Sequence, residues 1–383
     1  MPEPARSLGR VEILGAGPAG LSAALTAARA GRQVTLYERR SECGSRFHGD
    51  LQGLENWTTR GDVLEELSAM GIAPTFDHVP IRDGVFFDPD GRERRLRSDR
   101  PAFYLVRRGI GPGTLDQSLK IQALDAGVRI RFREVSEISS EGGIHTPGPE
   151  RCDALDVGYV FETDMSDGVF AVLSERLAPK GYAYLLVCRG WGTVAACLFD
   201  DYANARTYRE RAREFFEKNA GLRMRNARVF GGTGNVRAAP IARRGRILYA
   251  GEAAGLQDAL WGFGMRYAMV SGHMAARALV EREPRAYERS IRARYSGFLR
   301  TSFVNRYFYE RLGDAGYAWL LGRIARASDA REWLRRFYAP CLWKSLWFPL
   351  IRGAVEAGRR RAEAAVRGAR PAATRPGLLA IEE

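Results

Sequence analysis

The first forty residues alternate between short apolar runs and a stretch of small side chains. Residues 11–14 and 34–37 are apolar runs of strand length, and residues 21–30 between them are rich in alanine and leucine at helical spacing. The segment Gly15-Ala16-Gly17-Pro18-Ala19-Gly20 separates the first run from the helix. This order predicts a β-α-β unit with a glycine-rich turn at the start of its helix.

Each glycine of this turn has a separate expected role. Gly15 permits the tight turn, Gly17 lets the backbone approach a pyrophosphate, and Gly20 lets the helix pack against the strand. Glu38 ends the second predicted strand, where a carboxylate can accept both hydroxyls of an adenosine ribose. The pattern predicts a bound dinucleotide, and the alternative is a glycine-rich turn without a ligand.

A second strand and glycine turn lie more than two hundred residues further along. Residues 246–250 predict a strand that runs into Gly251-Glu252-Ala253-Ala254-Gly255, and Gly262-Phe263-Gly264 opens a predicted helix that continues to residue 279. The pairing of an N-terminal G-x-G-x-x-G…E with this late motif is similar to flavoproteins of the p-hydroxybenzoate hydroxylase fold. Within that fold, the sequence most resembles the geranylgeranyl reductase family of FAD-dependent oxidoreductases.

The resemblance implies FAD as the cofactor and gives roles to both turns. It places Glu252, which stands where the family has Asp, on the ribityl chain, and Gly262 and Gly264 at the isoalloxazine, where a helix dipole would stabilise the anionic reduced flavin. Trp261 replaces a small polar residue and either stacks on the flavin or packs in a core. The expected cofactor contacts are Gly15, Gly17, Pro18, Ala19, Gly20, Glu38, Arg39, Arg46, Gly251, Glu252, Gly262, Gly264 and Met265.

The segments that follow Glu38 carry further candidates. In the loop 43–49, Arg46 is expected to contact phosphate or flavin, and His48 is either a donor or proton source for the flavin or an ordinary loop histidine. Residues 114–126 predict a helix that resembles the family's R-x-x-F-D-x-x-L segment, although five residues separate it from Arg107 or Arg108. Residues 152–158 lack the D-G motif of the hydroxylases, which argues against a monooxygenase and against direct use of NADPH.

Four β-rich runs over residues 158–199 predict an antiparallel sheet that forms the substrate layer. The third run resembles the reductase family's P-x-G-Y-x-W-x-F signature. Tyr182, Tyr184 and Leu186 share one face of that strand. These three residues and Trp261 are the expected substrate contacts. The face suits an elongated lipid, and the alternative is a half-buried strand that faces its own core. Tyr182, Tyr184 and His48 are the catalytic candidates.

The C-terminal third combines basic and aromatic residues at helical spacing. Residues 285–337 predict a helical cap over the substrate channel rather than a nucleic-acid site, because no nucleic-acid motif accompanies the charge. Residues 340–351 pair tryptophans with flanking charge and form either a membrane-contacting helix or a buried one. The arginine- and alanine-rich tail after residue 353 is expected to be disordered.

Composition narrows the compartment and the class. Of the 59 basic residues only four are lysines, and the net charge is +14. Five widely spaced cysteines without C-x-x-C predict neither disulfides nor a metal site, which fits a reducing compartment. The first ten residues show no export signal, and we expect a cytoplasmic protein, at most at the inner face of the membrane.

These observations predict an α/β protein with an FAD-binding Rossmann-like domain, an antiparallel β substrate layer and a C-terminal helical cap. The expected bounds are 1–72, 101–150 and 246–284 for the FAD domain, 73–100 and 151–245 for the substrate domain, 285–352 for the helical region and 353–383 for the tail.

The predicted activity is reduction of C=C bonds in a hydrophobic isoprenoid-like substrate, with hydride from N5 of the reduced flavin. A single dinucleotide fingerprint implies an external electron donor, such as NAD(P)H, ferredoxin or a quinol. The alternatives are a flavin-dependent monooxygenase or halogenase, and a non-catalytic membrane-associated protein that holds flavin.

Overall fold

The glycine-rich N-terminal turn joins strand β1 (Arg10–Leu14) to helix α1 (Pro18–Arg29), which leads into strand β2 (Gln33–Glu38). The structure is a computed structural model, and it describes residues 9–135, 138 and 142–368, with side-chain surroundings as far as residue 355. β1 and β2 pair in parallel, so the predicted β-α-β unit is confirmed. Eight of the twelve residues of α1 are buried, because small side chains let the helix lie close against its neighbours.

The remaining elements follow β2 along the chain. The strands are β3 (Leu51–Glu55), β4 (His78–Ile81), β5 (Asp83–Phe87), β6 (Glu93–Arg97), β7 (Phe103–Arg107), β8 (Arg129–Phe132), β9 (Gly143–His145), β10 (Ala154–Glu162), β11 (Gly168–Val172), β12 (Tyr182–Cys188), β13 (Trp191–Leu198), β14 (Arg225–Gly234), β15 (Arg243–Arg244) and β16 (Ile247–Tyr249). The helices are α2 (Val63–Ala69), α3 (Leu115–Asp125), α4 (Ala205–Ala220), α5 (Met265–Val280), α6 (Pro284–Tyr309), α7 (Gly313–Ala325), α8 (Ala330–Phe337) and α9 (Leu342–Gly368), with short 3₁₀ helices at Tyr202–Asn204 and Gly251–Ala254.

The first sheet has six strands in the order β15-β16-β9-β1-β2-β8, parallel except for the β15–β16 pair. Helices α1 and α5 pack closely against each other, and Ser22 Oγ of α1 donates a 2.7 Å hydrogen bond to the Met269 carbonyl of α5. A Cβ at Gly272 would clash with the Ala19 carbonyl, so this approach depends on glycine. The close contact brings the N-terminal ends of both helices to the same edge of the sheet.

The second sheet has seven strands in the order β14-β10-β13-β12-β11-β5-β6. Its pairs are antiparallel apart from β5 with β11, which confirms the antiparallel layer predicted over residues 158–199. α4 covers one face, where Tyr208, Ala212 and Phe216 join the core of the sheet. A smaller antiparallel sheet has the order β3-β7-β4, and its strands alternate along the chain with β5 and β6 of the seven-stranded sheet.

Helices α6 to α9 form the C-terminal region. α9 contains Pro349 and continues to Gly368, so residues 353–368 are helical and the expectation of disorder is wrong there. The alanines and arginines that suggested a disordered tail are also strong helix formers, which accounts for the difference. The rest of the expected tail, residues 369–383, lies outside the described residues. No helix within the described ranges combines the length and apolarity needed to cross a bilayer.

Candidate flavin and substrate site

The three glycines of the N-terminal turn have the distinct environments that their expected roles require. Gly15 has φ +93°, and a Cβ there would meet the Thr146 carbonyl. A Cβ at Gly20 would clash with the Gly15 carbonyl, so α1 starts in direct contact with the turn. At Gly17 a Cβ would meet nothing within 4 Å, because this residue borders an open cavity. The structure therefore leaves space at the one glycine where the pyrophosphate is expected.

Glu38 braces this turn from the end of β2. One carboxylate oxygen accepts a 2.8 Å hydrogen bond from the Ala16 N–H, and the other accepts one of 2.8 Å from the Arg40 N–H. Glu38 and Arg39 also line the cavity beside Gly17. The carboxylate keeps lone pairs free for a further donor, such as a ribose hydroxyl.

The second glycine turn reaches the same cavity from β16. Gly251 donates its N–H to Ser271 Oγ over 2.8 Å, which ties the turn to α5. The Glu252 carboxylate accepts a 2.9 Å hydrogen bond from the Asn235 N–H and lies 3.5 Å from the Arg46 guanidinium. Burial raises the pKa of Glu252, and Arg46 opposes part of that rise. The two residues predicted separately as cofactor contacts are thus an ion pair.

The N-terminus of α5 also borders the cavity. Gly262 (φ +77°), Gly264 and Met265 line it, and Gly264 is the N-cap without a side chain to satisfy the first N–H groups. Gln257 Nε2 donates a 2.9 Å hydrogen bond to the Gly262 carbonyl, whereas its Oε1 is buried without a hydrogen-bond partner. An unpaired amide oxygen beside free N–H groups is suited to a polar ring edge.

Asp258 holds this loop to the C-terminal helices. Its carboxylate accepts hydrogen bonds from the N–H groups of Leu260 and Trp261, from Ser302 Oγ of α6 and from the Tyr338 hydroxyl. Burial raises the pKa of this carboxyl, and the donors oppose the rise. The helical region therefore fixes the loop that carries Gly262 and Gly264.

The cavity has a volume of about 570 Å³ and joins both glycine turns to the second sheet. Such a volume lies within the range of ligand pockets. We call its far part the substrate end. Its lining comes from β5, β6, β11, β12, α7 and α8 and includes Phe86, Leu96, Val169, Ala171, Tyr182, Tyr184, Leu186, Leu321, Ile324 and Leu334.

The predicted aromatic face of β12 points into this substrate end. The Tyr182 hydroxyl donates a 2.6 Å hydrogen bond to the Trp261 carbonyl, and the two tyrosine rings lie 5.9 Å apart. Trp261 packs edge-on against Tyr182 at 5.5 Å and against Tyr309 at 5.2 Å. Trp261 therefore belongs to an aromatic cluster between the glycine loop and the helices, and it also lines the cavity.

His48 lies at the edge of the cavity with an exposed side chain. Its backbone N–H donates a 2.9 Å hydrogen bond to Asp50 Oδ1, and its carbonyl accepts one from Arg228. The loop backbone, rather than the imidazole, carries these contacts.

The sequence analysis did not identify Asp156 as a residue of the site. It lies in β10, which begins at Ala154, four residues before the expected start of that run. The Tyr184 hydroxyl donates a 2.6 Å hydrogen bond to Asp156 Oδ2, while Oδ1 is buried without a partner. Burial raises the pKa of Asp156 to about 7, and nearby Asp50 adds to the rise. The alternation of β10 was the available signal, because it puts Asp156 on the same face as Ala154, which also lines the cavity.

The arginine of the predicted R-x-x-F-D-x-x-L segment is Arg108, which forms a buried pair with Asp116. Two 2.8 Å hydrogen bonds join them, and both side chains are at most 5% exposed. The guanidinium also lies 3.9 Å from the centre of the Phe47 ring. The structure thus selects Arg108 over Arg107, whose guanidinium contacts the Pro112 carbonyl at the surface. The five inserted residues fold as a loop that returns Arg108 to the helix.

Comparison with known proteins agrees with this geometry. Residues 13–53 match the model of the NAD(P)-binding Rossmann-like domain. The chain is 22% identical to the digeranylgeranylglycerophospholipid reductase of Methanocaldococcus jannaschii, over 85% of this chain and 94% of that protein. It is 25% identical to the enzyme of the same name from Methanosphaerula palustris, over 70% of this chain and 75% of that protein. Both relatives are named as reductases, and the similarity to each extends over at least 70% of this chain.

The fold of this chain is shared with solved structures. A geranylgeranyl bacteriochlorophyll reductase-like protein from Thermoplasma acidophilum superposes with a TM-score of 0.66 at 17% identity, over 91% of this chain and 98% of that one. The flavin-dependent brominase Bmp2 gives 0.61 at 16% identity, over 92% and 99%. The same architecture therefore serves reductases and halogenases, and the site must decide between them.

Proposed function

We propose that this protein binds FAD and reduces C=C bonds of a hydrophobic, isoprenoid-like substrate. The observation that carries the proposal is a single cavity that runs from both glycine turns to an aromatic and aliphatic substrate end. A dinucleotide-sized cofactor and an elongated apolar molecule can meet inside it. The names of the two archaeal relatives support the choice of substrate class.

The residues present fit FAD. The open space at Gly17 and the N-terminus of α1 would hold the pyrophosphate, Glu38 the ribose, and Glu252 the ribityl chain. The unpaired Gln257 oxygen and the N-terminus of α5 would face the ring system. Bound and reduced, the flavin supplies a hydride from N5 and the negative charge that the α5 N-terminus would stabilise.

The protein's own contribution is orientation and the exclusion of water. Leu186, Val169 and Leu334 give the substrate end an apolar surface, and the hydroxyls of Tyr182 and Tyr184 are already engaged in hydrogen bonds. A substrate there would contact mostly ring faces and aliphatic groups. Electrons would come from an external donor such as NAD(P)H, ferredoxin or a quinol.

A halogenase or monooxygenase is the second candidate. The brominase Bmp2 shares the fold. The chain is also 38% identical to the kynurenine 3-monooxygenase of Salinispora arenicola over 177 residues, which are 44% of this chain and 38% of that protein. A halogenase needs a lysine between flavin and substrate. Within the described ranges no lysine lines the cavity, and Lys120 and Lys180 are paired with Glu42 and Asp200. The cavity therefore favours the reductase.

We also propose peripheral contact with a lipid surface through α9. Lys344, Phe348 and Ile351 pack inward, with the Lys344 ammonium on the Phe337 carbonyl and Phe348 against Phe303. The outer side exposes Leu342, Trp343, Leu346, Trp347 and Leu350. The helix is thus buried on one side and apolar toward solvent on the other, as an interfacial helix would be.

The test is anaerobic reduction of the flavin-loaded protein by dithionite, followed by mixing with geranylgeraniol. Reoxidation of the flavin by the polyene, with a more saturated product, is the expected result. A product that forms only when oxygen is admitted would favour the oxygenase, and no product under either condition would favour a binding protein. Ala171→Leu is the matched variant: it narrows the substrate end beside Tyr184 and should slow reoxidation while the flavin content stays unchanged.

A further inference from the structure

Asp156 is an acidic group in the substrate end with an unusual environment. It sits between β13 and β14, directly opposite Cys197 on one side and Gly232 on the other. The groups that face it are the Tyr182 and Tyr184 hydroxyls from β12, the Cys197 thiol from β13 and the Asp50 carboxylate that precedes β3. Because Asp50 carries the same charge, this position favours a neutral carboxyl group.

Alkene reduction needs a proton as well as a hydride, and Tyr184 alone is poorly suited to give it. Burial raises the pKa of the Tyr184 hydroxyl well above its usual value, so a lone tyrosine would leave a phenolate in an apolar environment. Its 2.6 Å hydrogen bond to Asp156 offers a way around that cost. The carboxyl can return a proton to the phenol oxygen as the phenol gives up its own, and the charge then stays on Asp156.

We propose that Asp156 and Tyr184 form a two-residue proton relay that completes the reduction, an inference that rests on the proposed function. The π bond breaks as the hydride and its electron pair bond to one alkene carbon, and the Tyr184 hydroxyl proton bonds to the other. The Asp156 proton moves to the Tyr184 oxygen, which leaves Asp156 as a carboxylate. Water then reprotonates Asp156, and the external donor restores the reduced flavin. Tyr184 is the catalytic residue and Asp156 the positioning residue that supplies it.

The relay predicts a definite pH dependence. Asp156 must be protonated to act, and its pKa is raised to about 7, so the rate of polyene-driven reoxidation should be high below that pH and fall above it. Asp156→Asn keeps the shape and an acceptor for Tyr184 but cannot supply a proton. We expect this variant to slow reoxidation by about 100-fold or more and to lose the pH dependence. Tyr184→Phe should fall to a similar rate, and the double variant no further, because the two residues act as a unit.

Two controls separate the relay from the proposed function. Tyr159→Phe removes a hydroxyl of β10 that donates its hydrogen bond to Glu210, away from the cavity lining, and should keep the wild-type pH dependence. Infrared spectra of the flavin-free protein should show a carboxylic acid C=O band that titrates near pH 7 and is absent in Asp156→Asn. This second measurement needs neither cofactor nor substrate.

The outcomes are distinct. If Asp156→Asn reduces the polyene at the wild-type rate, or if the carboxyl band titrates in the ordinary range of aspartates, the relay is overturned while the reductase proposal stands. If the wild-type protein reduces no polyene although the band titrates near neutrality, the proposed function is wrong. The relay's role in protonating the alkene is then refuted as well.

Discussion

Replacement of Gly17 by valine tests the cofactor site with little effect on the fold. Gly17 has φ −81° and ψ −178°, which valine adopts readily, and a Cβ there meets no atom of the protein. As the N-cap of α1, valine should cost about 1 kcal/mol of folding free energy. Because this cost is small, the flavin-free wild type and variant should be similar in stability. The valine side chain would, however, occupy the space where the pyrophosphate is expected to lie.

The difference should appear when flavin is added. A ligand at 100 times its dissociation constant stabilises a protein by about 2.7 kcal/mol, so FAD should raise the melting temperature of the wild type and leave that of Gly17→Val unchanged. Gly20→Ala is the contrasting variant, because its Cβ would clash with the Gly15 carbonyl. It should lower the stability of the flavin-free protein by about 1–3 kcal/mol and also weaken flavin binding.

The assay combines thermal unfolding with and without FAD and an absorbance spectrum of each purified protein. Gly17→Val should be folded and colourless. If it retained stoichiometric flavin, the pyrophosphate would not lie at this turn and the cofactor assignment would fail. If Gly17→Val without flavin were as unstable as Gly20→Ala, the conclusion that a side chain at residue 17 meets no protein atom would be wrong.

Three further changes test other parts of the structure. Asp116→Asn breaks a buried ion pair and should cost about 3–5 kcal/mol in urea unfolding of the flavin-free protein, whereas Glu217→Gln at an exposed pair should cost less than about 1 kcal/mol; equal effects would contradict the burial. Asp156→Asn should raise the free energy of unfolding by up to about 4 kcal/mol above pH 7 and leave it unchanged near pH 3. The reason is that the pKa of Asp156 is raised from 3.8 to about 7 in the folded protein, so ionisation of this carboxyl opposes folding. An equal rise in the free energy of unfolding at both pH values would refute this. The double variant Trp343→Ser, Trp347→Ser should weaken co-sedimentation with anionic vesicles about tenfold and leave the flavin content unchanged. Undiminished binding to the vesicles would exclude α9 as the lipid contact.

Local signals were sufficient where one short segment carries the whole feature. The turn from Gly15 to Gly20, the alternation that puts Tyr182 and Tyr184 on one face, and the helix of residues 114–126 each depend on neighbours in the chain. The tail shows the limit of composition, because alanine and arginine are common both in disordered tails and in helices. There the helix continued to Gly368.

Contacts between distant segments were harder to infer. The candidate role of Asp156 depends on its hydrogen bond with Tyr184, which lies two strands away in the sheet, and on Asp50 from another part of the chain, which helps to raise its pKa. Trp261 had two open interpretations until the structure placed it against Tyr182 and Tyr309. In both cases the deciding partner lies far away in sequence.

The sequence by itself determined the β-α-β unit, the second glycine turn and the character of the substrate strand, because dihedral freedom and side-chain period are properties of neighbouring residues. Only the tertiary structure decided that Gly17 and Gly264 border one cavity, that Arg46 pairs with Glu252, and that Asp156 lies there with a raised pKa. Burial and charge at a site are set by which distant segments pack around it, and no local pattern in the chain encodes that arrangement.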